Sequence, residues 1–160
     1  MIRTTILAIV AATITSISSA ADAAYWSNSQ IKDLKNALRQ VGVNVRHGLE
    51  NDQSWAVYDR VDNEIIMFMN KNRSNYNVTF VHEAIHVLQD CYAGLENGQD
   101  TTLIDYYDVL SFISYDTKSY VNEYYNVEDR HYEYEAEGYA RQEWEWTGGK
   151  TLAYMIRKYC

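Results

Sequence analysis

The chain has 160 residues and a formal net charge of −8, and 47% of its residues are hydrophobic and 22% charged. This composition excludes an intrinsically disordered chain, because it offers enough apolar side chains to form a hydrophobic core. The negative charge repels phosphate backbones and therefore argues against a nucleic-acid partner.

The start of the chain has the order of a secretory signal peptide. The basic residue Arg3 is followed by an apolar stretch at 6–17 and by small residues at 18–24. That stretch is shorter than the about 20 residues of a membrane-spanning helix, although an uncleaved N-terminal anchor is the alternative. We predict a signal peptide at 1–23, a periplasmic or extracellular location, and a single domain at 24–160 with no stable membrane span.

The remaining sequence predicts an α+β fold. Apolar residues at helical spacing predict helices at 29–41, 78–91, 103–115, 118–125, 129–146 and 151–159. Alternating stretches predict strands at 43–47, 54–60 and 64–70, the last two joined by a hairpin turn. We therefore expect a small antiparallel sheet packed on the helix at 78–91, followed by further helices.

The helix predicted at 78–91 carries the sequence His82-Glu83-Ala84-Ile85-His86. Residues four apart lie one above the other on a helix, so both imidazoles can bind a single ion at about 2.0–2.1 Å. Glu83 can then reach water on that ion and serve as general base and general acid. This HExxH pattern makes His82 and His86 candidate metal ligands and Glu83 a candidate catalytic residue. The alternative is an ordinary helix with two unrelated histidines.

A catalytic zinc site usually has a third protein ligand. Four candidates occur close together on the helix predicted at 129–146: His131, Glu133, Glu135 and Glu137. Taken alone, the three glutamates are also compatible with a solvated acidic helix face, and the histidine with a surface residue.

The two motifs together resemble the gluzincin branch of the zincin metallopeptidases. In that branch a later helix carries Glu-x-x-Ala followed by an acidic residue, which corresponds here to Glu133, Ala136 and Glu137. The resemblance implies a zincin-like core with one Zn²⁺ and a peptide or protein substrate. It implies Glu133 as the third ligand, with Glu135 as the alternative, and Glu137 as the residue that orients a motif histidine.

Two functions from different classes follow. The first is a zinc-dependent metallopeptidase, in which negative charge on the substrate carbonyl is stabilised by a Tyr, His or Arg donor. The sequence does not distinguish Tyr124, Tyr125, Tyr132 and Tyr139 for that role. The second is a secreted, metal-stabilised binding protein without catalytic activity. Metal-assisted hydrolysis of a bond other than a peptide is a third alternative.

The chain contains two cysteines, Cys91 and Cys160. An even number of cysteines in an exported protein favours one disulfide, with two free thiols as the alternative. The predicted disulfide would join the end of the motif helix to a distant segment of the chain.

Overall fold

The computed structural model describes residues 26–49, 55–68, 76–94, 106–143 and 150–160. The predicted signal peptide lies outside these ranges and stays a prediction. The helices within them are α1 (Asn28–Gln40), α2 (Tyr76–Ala93), α3 (Tyr106–Phe112), α4 (Tyr115–Tyr124), α5 (Arg130–Ala140) and α6 (Leu152–Tyr159). The strands are β1 (Asn44–Gly48), β2 (Ala56–Asp59) and β3 (Glu64–Phe68). The predicted α+β class is confirmed.

The sheet is mixed rather than antiparallel, and its strand order is β1-β3-β2. The predicted hairpin is present, since β2 and β3 pair antiparallel and Asn63 between them has a φ of 54°. However, β1 pairs with β3 in parallel. The prediction of a purely antiparallel sheet was wrong because alternation shows which face of a strand is buried but does not show the direction of its neighbour.

Helix α2 lies at the centre of the fold, where it packs against α1, α5, α6 and both strands of the hairpin. Every residue from 80 to 91 is buried. Five of these twelve residues have polar or charged side chains: His82, Glu83, His86, Gln89 and Asp90. Buried polar groups require partners, so this concentration of polar side chains inside the core marks the region where function should be sought.

Helix α5 packs closely on its neighbours because several of its residues are small. Ala136 and Ala140 are buried, and a Cβ atom at Gly138 would overlap the side chain of Ile113. The helix ends at Ala140, six residues earlier than predicted. The chain turns there because Gln142 has a left-handed φ of 59° and the N–H of Glu143 bonds back to the carbonyl of Gly138. The Glu143 carboxylate also accepts hydrogen bonds from residues at the start of α4.

The predicted disulfide is present between Cys91 at the end of α2 and Cys160 directly after α6. Disulfides are typical of proteins that fold in an oxidising compartment. Among the described residues, no helix combines the length and apolarity needed to span a membrane.

Removal of this disulfide should destabilise the fold substantially. The bond joins two residues with a sequence separation of 69. In the chain-entropy model, removal of a disulfide that closes a loop of this length lowers the free energy of unfolding of the protein by about 4 kcal/mol. We expect the Cys91→Ala/Cys160→Ala protein to show this decrease in the free energy of unfolding, measured by urea denaturation. Reduced wild-type protein is the matched control, because it lacks the same bond without a change in side-chain volume. A stability equal to that of the oxidised wild type would contradict the expectation.

Candidate metal centre

The three predicted ligands meet at one point in the core. His82 and His86 come from α2 and Glu133 from α5, and one ligand atom from each lies within 4.8 Å of the others. The two Nε2 atoms are 3.0 Å apart. Glu133 places Oε2 at 3.2 Å from Nε2 of His82 and Oε1 at 3.6 Å from Nε2 of His86. Their exposed fractions are only 6%, 7% and 2%.

These separations suit a tetrahedral metal ion. Ligand atoms at about 2.0–2.1 Å from a tetrahedral ion are about 3.3–3.4 Å from one another. The two Nε2 atoms are 3.0 Å apart, and each has one oxygen of Glu133 near that spacing, Oε2 at 3.2 Å from His82 and Oε1 at 3.6 Å from His86. Oε2 of Glu133 is buried and has no hydrogen-bond partner of acceptable geometry among the described residues. A buried carboxylate oxygen without a partner is costly, and a bound cation would satisfy it. The residues present therefore fit a metal ion.

The other nitrogen of each imidazole faces a polar side chain. Nδ1 of His86 lies 2.8 Å from Oε1 of Gln89. Nδ1 of His82 lies 3.5 Å from Oε1 of Glu137, whose other oxygen accepts a hydrogen bond from Arg141 at 2.6 Å. An acceptor beside Nδ1 favours the neutral tautomer that carries its proton there, which leaves Nε2 to bind a metal ion at the shared point. Glu137 thus lies on the side of the His82 ring away from the shared point.

The electrostatics of the triad favour a positive charge between the three residues. Burial raises the pKa of Glu133, but the two imidazoles lower it more strongly, to about 2. Burial lowers the pKa of His86, yet the negative charge of Glu133 raises it to about 9. The pKa of His82 is raised by Glu133 and Glu137 against the same effect of burial. Without a metal, a proton on the imidazole pair supplies the positive charge.

Zinc uptake should therefore displace a proton. His86 has a pKa of about 9 in the metal-free site, so at pH 7 zinc binding should release about one proton. Zinc affinity should decrease as the pH falls below that pKa, because protons compete for the same lone pair. Calorimetric titrations in two buffers with different ionisation enthalpies measure the release. Equal binding enthalpies in the two buffers would show that no proton leaves.

Glu83 lies beside the triad but is not part of it. Its Oε2 accepts a hydrogen bond of 2.8 Å from the backbone N–H of Tyr58 in β2, an edge strand of the sheet. Burial raises the pKa of Glu83, and the charges of His82 and His86 offset this only in part. A carboxyl group with a raised pKa is suited to accept and return protons near neutral pH.

The geometry excludes the other two candidate ligands, Glu135 and His131, from the metal-binding group. Glu135 is fully buried, but its Oε2 accepts a hydrogen bond from Gln89 at 2.8 Å and the residue is not in the metal-binding group. The ring of His131 lies 4.0 Å from that of Tyr132, and this histidine is not in the group either. Of the two neighbouring glutamates, the structure thus brings Glu133 to the histidine pair.

Among the four tyrosines considered from the sequence, Tyr125 lies nearest the centre. Its buried ring stacks at 6.5 Å from that of His82, and burial together with the charges of Glu133 and Glu137 raises the pKa of its hydroxyl. The hydroxyl of Tyr139 instead accepts a hydrogen bond from the backbone of α6. Tyr124 is exposed, and Tyr132 has its ring against His131.

Sequence reasoning missed two polar residues of α2, Gln89 and Asp90. Asp90 lies 3.5 Å from the guanidinium of Arg60 and accepts a hydrogen bond from the hydroxyl of Tyr58. Asp90 therefore holds β2 against α2, and β2 is the strand whose Tyr58 N–H donates to Glu83. The available signal was a polar pair directly after Val87 and Leu88, with Asp90 two helical turns after Glu83 and so on the same face.

The fold and the site together define an α+β protein with a buried candidate metal centre built from a His-x-x-x-His helix and a glutamate of a second helix. In comparisons with known proteins, no family model, no curated protein and no solved structure matches the chain.

Proposed function

We propose that this protein is an exported zinc-dependent peptidase of the zincin type. The observation that carries the proposal is the convergence of His82 Nε2, His86 Nε2 and the Glu133 carboxylate at 3.0–3.6 Å in the core. The disulfide supports export, because such bonds persist in oxidising compartments.

The donor set favours zinc in a catalytic role. Two imidazoles and one carboxylate suit Zn²⁺, and three protein ligands leave the fourth tetrahedral position open for water or substrate. A structural zinc site would use four protein ligands, and the described residues place only three at this point. Zinc bound there would act as a Lewis acid and lower the pKa of water to about 7.

Glu83 is the proposed general base. Its carboxylate takes a proton from the attacking water as the water oxygen bonds to the carbonyl carbon of the peptide. It then gives this proton to the amide nitrogen as the carbon–nitrogen bond breaks. The N–H of Tyr58 holds the carboxylate next to the triad, so little reorganisation is needed before the reaction.

Tyr125 is the proposed donor to the carbonyl oxygen, on which negative charge develops. Its ring stacks on that of His82, and its hydroxyl lies within electrostatic range of Glu83, Glu133 and Glu137. A neutral phenol that stays protonated in this acidic surrounding can donate a hydrogen bond to an oxyanion.

Zinc content and hydrolysis, measured on the same protein preparation, test the proposal. We expect one zinc per chain by elemental analysis, cleavage of a mixed peptide library, loss of cleavage with a chelator, and recovery with added zinc. Zinc-loaded protein that cleaves no peptide would favour the non-catalytic binding protein. Cleavage of an ester library but not of peptides would indicate hydrolysis of a different bond. Protein that does not bind zinc would overturn the proposal.

A further inference from the structure

We propose that Gln89 and Glu135 are positioning residues of the metal centre, which fix the ring of His86 through a hydrogen-bonded relay running from α5 to α2. The relay consists of Glu135, Gln89 and His86. This inference rests on the proposed function only in requiring that the site binds zinc.

The amide of Gln89 is fully buried and makes three hydrogen bonds. Its Nε2 donates to the Tyr132 carbonyl at 3.1 Å and to Glu135 Oε2 at 2.8 Å, and its Oε1 lies 2.8 Å from His86 Nδ1. A buried amide is tolerated only when its donors and acceptor have partners. Here both N–H groups of the amide donate to acceptors on α5, and the amide oxygen faces the ring of His86.

These partners permit one orientation of the amide. The Tyr132 carbonyl oxygen can only accept a hydrogen bond, and it lies 3.1 Å from the amide nitrogen of Gln89. The NH₂ group of Gln89 must therefore face α5, because the opposite orientation would place its oxygen against this carbonyl oxygen. The oxygen then faces His86.

The orientation of the amide fixes the state of His86. Since Oε1 of Gln89 can only accept, Nδ1 of His86 must donate, and in the neutral ring that binds a metal ion Nε2 then presents the lone pair. That lone pair points to the place shared with His82 and Glu133. Partners of this kind around metal-binding histidines typically change metal affinity by about 10–100-fold.

Helix α5 therefore has two distinct effects on the site. Glu133 reaches the shared point directly, whereas Glu135, two residues later, reaches the opposite nitrogen of His86 through Gln89. Both side chains depend on the same packing of α5 on α2. This one helix contact therefore places the ligand Glu133 and also orients the ligand His86.

The first test replaces the amide with an apolar side chain of similar size. We expect Gln89→Leu to weaken zinc binding by about 10–100-fold, measured at pH 7 by competition with a chromogenic chelator. The matched control is Thr117→Val at the start of α4. Thr117 is also a buried polar residue, and this change removes its hydrogen bonds with Ser114 and Glu143. It should lower the melting temperature without changing zinc affinity. Circular dichroism confirms that each variant is folded.

The second test exchanges the amide and the carboxylate, and it keeps the proposal falsifiable if Gln89→Leu does not fold. Gln89→Glu alone places two carboxylates together and should weaken zinc binding. Adding Glu135→Gln provides an amide that donates to the new carboxylate, which still accepts from Nδ1 of His86. The double variant should therefore bind zinc more tightly than Gln89→Glu. Any cost at the Tyr132 carbonyl is the same in both proteins.

Two results would overturn the relay: folded Gln89→Leu protein with the zinc affinity of the wild type, or a double variant that binds no better than Gln89→Glu. The visible spectrum of the Co²⁺-substituted protein provides a second readout, because a reoriented imidazole changes the ligand field. Failure of the relay is distinguishable from failure of the proposed function. In the former case the wild type still binds zinc and cleaves peptides, and in the latter it does not.

Discussion

Glu83→Gln protein is expected to retain one zinc ion per chain and to hydrolyse peptides about 10²–10⁴-fold more slowly than the wild type. The amide has nearly the shape of the carboxylate and can still accept the hydrogen bond from the N–H of Tyr58. It cannot take a proton from water. Since Glu83 is not part of the metal-binding group, its replacement should remove the chemical step and leave zinc binding in place.

The measurement is the initial rate of cleavage of the best library peptide, with zinc content determined on the same sample. Glu128→Gln is the matched control, because it makes the same chemical change at an exposed position and should leave the rate unchanged. Full activity of the Glu83→Gln protein would remove Glu83 from the mechanism. Loss of zinc would mean that the residue acts on the metal centre and not on the proton.

The second large effect is expected at Glu133. Zinc sites with four protein ligands bind with about 10–16 kcal/mol, so one ligand contributes about 3 kcal/mol, or about 100-fold in affinity. We expect Glu133→Gln to weaken zinc binding by at least about this factor. The zinc-dependent increase in melting temperature should disappear in parallel, because ligand stabilisation scales with the ratio of ligand concentration to dissociation constant.

Glu135→Gln is the informative comparison, because the two glutamates lie two residues apart on α5. An amide at position 135 can still accept a hydrogen bond from Gln89, so this variant should weaken zinc binding less than Glu133→Gln does. Competition with a chelator measures both variants under the same conditions. If Glu135→Gln lost zinc and Glu133→Gln kept it, the assignment of the ligand would have to be reversed.

Local features of the site could be predicted from the sequence because they depend on neighbouring residues. The spacing of His82 and His86 places both rings on one face of any helix, whatever surrounds that helix. The α+β order of elements and the Cys91–Cys160 disulfide also followed from pattern and count. The gluzincin resemblance implied Glu133, which the structure brings to the histidine pair.

The surroundings of α5 could not be predicted in the same way. Glu133, Glu135 and Glu137 are compatible with a solvated acidic face in the sequence, yet all three are buried. Each has its own partner on another segment or turn: the histidine pair, Gln89, and His82 together with Arg141. A carboxylate can be buried only where such partners are present, and the pattern of α5 alone does not show them.

The sequence by itself determined the helix with two imidazoles one turn apart, the glutamate between them and the cysteine pair. The tertiary structure alone decided the parallel pairing of β1, the end of α5 at Ala140 and the contacts of Gln89. The physical reason is the range of the interactions. Helical spacing is fixed by the backbone of a few residues, whereas strand direction and the partners of buried polar groups depend on segments that are distant in the chain and meet only after folding.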